Sequence, residues 1–245
     1  MKATVQATQL ITCLDLTALN ATETDDRIKS LCVLAFEHQV AAVCVWPAFV
    51  ATARANLSPS ANCQIATVIN FPGGTDSLDR VLAAIEQSLL QGATEIDVVV
   101  PYQRFLIDNN AKLIREFVQA CKEVCGPEVK LKTIVESGLV THQRCLECLC
   151  LAALEGGADF LKTSTGKVTL GATLEAAVVL LGALKVFGDP QRGFKAAGGV
   201  KTALQAKSYW LLAQLIMGEA WPNPQRFRLG ASTLLKDLLA ASALV

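Results

Sequence analysis

The chain has 245 residues, a length that suits one α/β barrel, and 52% of them are hydrophobic, with a mean hydropathy of +0.39. Lys plus Arg equals Asp plus Glu at 22 each, so no net field draws in nucleic acid or an anionic membrane surface. Apolar runs such as Ala176–Leu181 are far shorter than the roughly 18 to 20 residues of a spanning helix, and Met1–Asn20 lacks a secretory pattern, so the reading is a cytoplasmic protein with no membrane partner.

Short β-branched runs alternate along the chain with longer amphipathic stretches. Strands are predicted at Leu10–Leu14, Ala41–Val45, Gln64–Ile69, Thr94–Val99, Lys130–Glu136, Asp159–Ser164, Gly193–Ala197 and Phe227–Gly230. The helices that follow them in turn are Asp25–Gln39, Pro47–Leu57, Ser77–Gln91, Asn109–Cys125, Thr141–Glu155, Thr173–Phe187, Thr202–Met217 and Ser232–Ala243. Strict alternation of eight with eight predicts the α/β class and a single (β/α)8 TIM barrel over residues 1–245. An open doubly wound sheet is the alternative. Even recurrence and the lack of GxGxxG after the first strand disfavour it. Gly92, Gly126 and the pair Gly156 and Gly157 fall just after helices, where glycine terminates a helix.

Nine cysteines, an odd and scattered set, indicate reduced thiols rather than a disulfide framework. His142, Cys145, Cys148 and Cys150 are closely spaced, but they lie on a predicted helix among leucines with no second pair, so they read as small hydrophobes and not as a metal site. No metal and no cofactor is expected.

In such a barrel, polar residues at the carboxyl ends of strands are the candidates for chemistry, because the site is built from the loops on that face. That set comprises Asp15, Cys44, Asn70, Asp97, Glu136, Lys162, Lys195 and the turn Gly230–Thr233. Lys162 and Lys195 fall at similar places on adjacent predicted strands, each among apolar residues. Two ammonium groups in one barrel mouth disfavour each other's charge, and burial acts the same way, so one amine is expected to be neutral enough to attack a carbonyl. The pattern does not decide between the two. Asp97 stands in an apolar strand and is expected to approach Lys162, or to neutralise Lys195 or Lys132. Gly166 and Lys167, Gly198 and Gly199, and Gly230, Ser232 and Thr233 together supply backbone donors, a cation and a helix start, a combination suited to phosphate.

The segments Leu161-Lys162-Thr163-Ser164-Thr165-Gly166-Lys167-Val168 and Gly193-Phe194-Lys195-Ala196-Ala197-Gly198-Gly199-Val200 resemble the signatures of the deoxyribose-phosphate aldolase family. Leu14–Asn20, Ala42–Pro47, Asn70-Phe71-Pro72, Glu95–Val99 and Arg228–Ser232 are similar to further family segments, in family order. The resemblance implies a cytoplasmic lyase of deoxyribose phosphate catabolism that cleaves 2-deoxy-D-ribose 5-phosphate to acetaldehyde and D-glyceraldehyde 3-phosphate. It implies Lys162 as Schiff-base nucleophile, Lys195 as the perturber of its pKa and Asp97 as proton relay. It also implies substrate or phosphate contacts from Asp15, Gly166, Lys167, Gly198, Gly199, Gly230, Ser232 and Thr233. Ala196 stands where many relatives have proline, Thr233 replaces a second serine, and Val245 follows helix eight where some relatives continue to a terminal tyrosine. The expected partners are a small phosphorylated sugar and acetaldehyde, and a homo-oligomer is compatible with the sequence. The alternatives are another Schiff-base barrel aldolase, a transaldolase, or a non-catalytic sugar-phosphate sensor.

Overall fold

A computed structural model describes residues 6–58 and 62–242. Eight parallel strands close in sequence order into a barrel: β1 (Leu14–Ala18), β2 (Ala42–Val45), β3 (Gln64–Ile69), β4 (Glu95–Val99), β5 (Lys130–Ile134), β6 (Phe160–Lys162), β7 (Gly193–Ala197) and β8 (Phe227–Ala231). Around them run α1 (Ala7–Ile11), α2 (Asp25–Glu37), α3 (Val50–Asn56), α4 (Leu78–Leu90), α5 (Tyr102–Asp108), α6 (Ala111–Cys125), α7 (Gln143–Glu155), α8 (Leu174–Phe187), α9 (Ala203–Met217) and α10 (Leu234–Ser242). Ala243, the predicted end of the last helix, lies outside the described residues.

Side-chain oxygens start several helices by taking up otherwise orphaned backbone N–H groups. Thr24, Asn110, Thr173 and Thr202 accept from the third residue of α2, α6, α8 and α9, and Gln205 returns a bond to the Thr202 N–H. On α6, Ile114, Phe117, Val118, Cys121 and Cys125 are buried at spacings of three and four, so one face packs on the sheet; each such burial contributes about 1.5–3 kcal/mol.

The structure corrects the first predicted strand. Leu10 and Ile11 belong to a short helix, whose Gln9 side chain accepts the Gln6 N–H at 3.0 Å, and the strand begins only at Leu14. Asp15 therefore lies near the start of a strand and not at its carboxyl end. The predicted second helix is a 3-10 turn (Pro47–Phe49) followed by α3. Residues of α5, read as loop, form two helical turns that stop where Asn109 takes φ +46°.

Alternate strand residues point into the barrel. From β2 and β3 these are small: Ala42, Cys44 and Ala66, with Val68, form an apolar patch with Leu19. The other strands fill the interior with long charged side chains. Gly230 leaves room for one of them, since a Cβ there would lie 3.0 Å from Cε of Lys195. A Cβ on Gly193 would collide with the Phe160 ring.

Candidate active site

Lys162 is the last residue of β6, and the register places it beside Lys195 on β7, which in turn lies beside Arg228 on β8. Asp97 on β4 pairs in register with Lys132 on β5. These residues converge in the interior. Asp97 Oδ2 accepts from Lys162 Nζ and from Lys195 Nζ, both at 2.7 Å, while its Oδ1 accepts from Lys132 Nζ at 2.8 Å. Lys195 also donates to Asp15 Oδ2, and Lys132 forms an ion pair with Glu95 at 2.6 Å. Arg228 Nη1 donates to Asp15 Oδ1 at 2.7 Å, and its Nη2 to Glu95 Oε1 at 2.9 Å.

Three carboxylates (Asp15, Glu95, Asp97) thus meet four basic side chains (Lys132, Lys162, Lys195, Arg228) in a space shut off from water. Uncompensated charge in such a place is costly, so one base is favoured to stand neutral. Geometry points to Lys162. Lys132 touches Glu95 and Asp97, Lys195 touches Asp15 and Asp97, but Lys162 has only Asp97, through an oxygen it shares with Lys195.

The pKa directions follow this pattern. Burial pulls Lys162 below its ordinary value; Asp97 opposes that and Lys195 reinforces it. Burial would also lower Lys195, but Asp15 and Asp97 outweigh it and hold the ammonium above its ordinary value. Lys132 is likewise raised, with Asp97 and Glu95 overcoming burial. Burial alone would raise Asp97, yet Lys132, Lys162 and Lys195 hold it well below the usual carboxylate range. Lys162 also has the most open position: it is 3% exposed, whereas Lys132 and Lys195 are at 0%.

Around the mouth, Glu136, two residues past β5, takes a left-handed conformation, φ +47°, with its carboxylate accepting from Thr165 Oγ1 at 2.6 Å and from Thr165 N at 3.2 Å. Burial raises its pKa, against the pull of those bonds. Thr165 Oγ1 in turn accepts the Lys167 N–H at 3.0 Å, which fixes the backbone on either side of Gly166. Gly166, Gly198 and Gly199 all take positive φ, from +75° to +90°. A Cβ on Gly166 would lie 3.3 Å from Gly198 Cα, one on Gly171 would collide with the Gly198 carbonyl, and Ala172 N donates to that carbonyl at 2.8 Å. The loops after β6 and β7 therefore run backbone against backbone. Ser232 and Thr233 are exposed in the turn between α10 and β8, the strand next to β7, and their side-chain hydroxyls make no hydrogen bond among the described residues. Lys167 crosses the mouth, donating to the Leu19 carbonyl at 2.7 Å with its Nζ 6.0 Å from the Trp46 ring centroid.

Of the residues singled out in the sequence, Asp97, Lys162 and Lys195 share one cluster, and Gly166, Lys167, Gly198, Gly199, Gly230, Ser232 and Thr233 lie at the carboxyl end above it. Asp15 does not join that rim. It is fully buried with both oxygens bound by Lys195 and Arg228, beneath the mouth and not on its wall. Asn70 serves loop closure, donating to Val99 O at 2.8 Å and accepting Asp76 N at 2.9 Å. Cys44 is buried in the interior wall, where burial raises its thiol pKa. All nine cysteines are free, and on α7 Cys150 is buried while Cys148 is exposed. Sequence reasoning gave Glu95 and Arg228 no role in the site, although both fall in family-like segments, and treated Lys132 only as a cation for Asp97 to neutralise. Their signal was the period-two placing of charge inside apolar strands: Glu95 and Asp97, Lys130 and Lys132, and Arg228 between Phe227 and Leu229.

The chain is similar in sequence and fold to known proteins. The apo form of a protein described as a "putative deoxyribose-phosphate aldolase", from Toxoplasma gondii ME49, is 28% identical, with 98% of this chain and 96% of that one covered and a TM-score of 0.89. A protein of the same description from Coccidioides immitis is 25% identical over 96% of this chain and 87% of its own, with a TM-score of 0.85. The deoxyribose phosphate aldolase of Aeropyrum pernix, described as having a unique tetrameric structure, shares the fold at 24% identity and a TM-score of 0.78, covering 98% of this chain and 94% of its own. The family profile of the DeoC/LacD aldolases matches residues 9–218, and the chain belongs to that family.

Proposed function

We propose that this aldolase cleaves 2-deoxy-D-ribose 5-phosphate reversibly to acetaldehyde and D-glyceraldehyde 3-phosphate through a Schiff base on Lys162. The observation that carries the reading is the shortage of carboxylate at Lys162: among the three buried lysines it alone lacks a carboxylate contact beyond the shared Asp97, and burial lowers its pKa. A neutral amine at the mouth of a barrel can attack a carbonyl carbon.

In the cleavage direction the Lys162 amine adds to C1 and water leaves, giving a protonated imine. Removal of the C3 hydroxyl proton breaks the C2–C3 bond, and its electrons pass into the imine to give an enamine. Protonation at C2 and hydrolysis release acetaldehyde and return the amine. Lys195 stays charged throughout and keeps Lys162 neutral before attack, while Asp97, which touches Lys162, relays protons between the reacting groups and a water at the mouth. The phosphate is held at the rim by Gly166, Lys167, Gly198, Gly199, Ser232 and Thr233, where backbone N–H groups and the start of α10 favour an anion.

Borohydride reduction in the presence of deoxyribose 5-phosphate, followed by peptide mapping, tests the assignment. The added mass is expected on the peptide carrying Lys162; an adduct confined to Lys195 overturns it.

A further inference from the structure

The interior cluster holds more charge than the proposed chemistry touches. Glu95, Lys132 and Arg228 lie on the side of Asp15 and Asp97 away from Lys162, and none of them forms an ion pair with it. Arg228 is fixed on several sides: Nη1 to Asp15, Nη1 and Nη2 to Glu95 at 3.2 and 2.9 Å, Nε to Pro224 O at 2.5 Å, and its guanidinium 5.8 Å from the Phe160 ring centroid. Nothing about reaching a sugar requires these groups. They do share the water-free interior with Lys162, where charge acts over distance with little screening.

We propose that Glu95 and Arg228 are positioning residues that set the net charge of the cluster, so that Lys162 is the base left without a proton. This rests on Lys162 being the nucleophile. With Asp15, Glu95 and Asp97 ionised and Lys132, Lys195 and Arg228 protonated, the cluster is neutral, and a proton on Lys162 makes it a cation. Arg228 does not lose its proton, and its fork engages two carboxylates at once, so it fixes one positive charge permanently. Glu95 answers that charge and also binds Lys132. The remaining titratable groups around the cluster do not change the count. Cys44 from β2 is held protonated by burial, and Cys13, beside Arg228 and Asp15, is pushed up to about 12, also chiefly by burial. Glu136, two residues past β5, is bound to Thr165 and forms no ion pair within the cluster; it interacts with Lys162 at longer range, equally in wild type and in every variant below, so it leaves the differences between them unchanged.

The test is the pH dependence of cyanoborohydride trapping of deoxyribose 5-phosphate on the Lys162 peptide, run beside the acidic limb of kcat/KM. A unit charge roughly 10 Å away, at an effective dielectric of about 20, moves a titration by about one unit. Arg228→Gln leaves the cluster one positive charge short, so Lys162 holds its proton longer and the midpoint rises by about one unit. Glu95→Gln leaves it one negative charge short, and the midpoint falls by a similar amount. The double variant Glu95→Gln/Arg228→Gln is balanced again and returns to the wild-type midpoint, as does Arg228→Lys, which keeps the charge without the fork. A merely structural pair would lower rates without moving the midpoint. Unmoved midpoints, or single variants shifting in the same direction, overturn the inference. If Arg228→Gln fails to fold, Glu95→Gln and the double variant carry the same decision. Wild-type protein that gives no adduct on Lys162 refutes the reading of the nucleophile itself, whereas a wild-type adduct with unmoved variants refutes only this inference.

Discussion

Replacing Lys195 with methionine separates charge tuning from every other role that side chain could have. Its Nζ and that of Lys162 both contact Asp97 Oδ2 at 2.7 Å, so the two nitrogens stand within roughly 5 Å of each other. At an effective dielectric of about 20 their repulsion is about 3 kcal/mol, or about two pKa units on Lys162. Removing the Lys195 ammonium also leaves Asp15, Glu95 and Asp97 facing only Lys132 and Arg228, so Lys162 takes up the missing proton. The sign is an upward shift: Lys195→Met raises the midpoint of the acidic limb of kcat/KM. Loss of activity is expected to be about a hundredfold at neutral pH and to shrink as pH rises by about two units. The assay is kcat/KM for deoxyribose 5-phosphate across pH 6 to 10, with a melting curve at each end. A loss of constant size at every pH would show that Lys195 does not tune Lys162 and acts by another route, such as direct proton donation.

Asp97→Asn leaves three buried lysines around a neutral amide and should cost about 3–5 kcal/mol, read as a fall in Tm of roughly 6–20 °C; an unchanged melting point would contradict the central place of Asp97. Lys162→Met should be inactive yet more stable near neutral pH. Unfolded lysine keeps its proton to about 10.4 while folded Lys162 releases it earlier, so wild-type stability rises with pH across that window and the advantage of the variant fades toward pH 10; a constant or growing advantage would speak against a lowered Lys162 pKa. Ser232→Ala and Lys167→Met should reduce kcat/KM for deoxyribose 5-phosphate much more than for deoxyribose, because phosphate binding orients C1 against the amine; equal losses on both sugars would remove these residues from the phosphate site. Exhaustive chelation should leave turnover unchanged, since the imine serves as electron sink; loss with EDTA and recovery with zinc would sink the Schiff-base route.

The barrel was legible because its signal repeats: seven of the eight predicted strands coincide closely with observed ones, and the first meets its strand only at Leu14. The first failed for a local reason. A five-residue helix and a strand of the same length, each mixing apolar and polar residues, are too short to be told apart by periodicity, and the capping by Gln9 is visible only in three dimensions. That shift of a few residues placed Asp15 at the wrong end of its strand. The pairing of Lys162 with Lys195 was readable from equivalent positions in adjacent strands. The choice between them was not, because it depends on which lysine also reaches Asp15, and Asp15 and Lys195 are 180 residues apart in the chain. Glu95 and Arg228 gave no such signal, and Lys132 only part of one, because a charged residue in a strand ordinarily faces the surface and only closure of the barrel turns it inward.

The contact between the loops after β6 and β7 bears on how this protein could be adapted. Gly166, Gly171 and Gly198 meet without intervening side chains, so that half of the rim behaves as a single casting in which any added carbon displaces main chain. The opposite half is assembled from side chains: Trp46 against Phe71 with ring centroids 5.4 Å apart, and Lys167 reaching over to Leu19. Side chains can be exchanged one at a time, with repacking that costs typically 1–3 kcal/mol, whereas main chain cannot. Attempts to widen the range of acceptor aldehydes should accordingly succeed at Trp46 and Phe71 and fail at the three glycines.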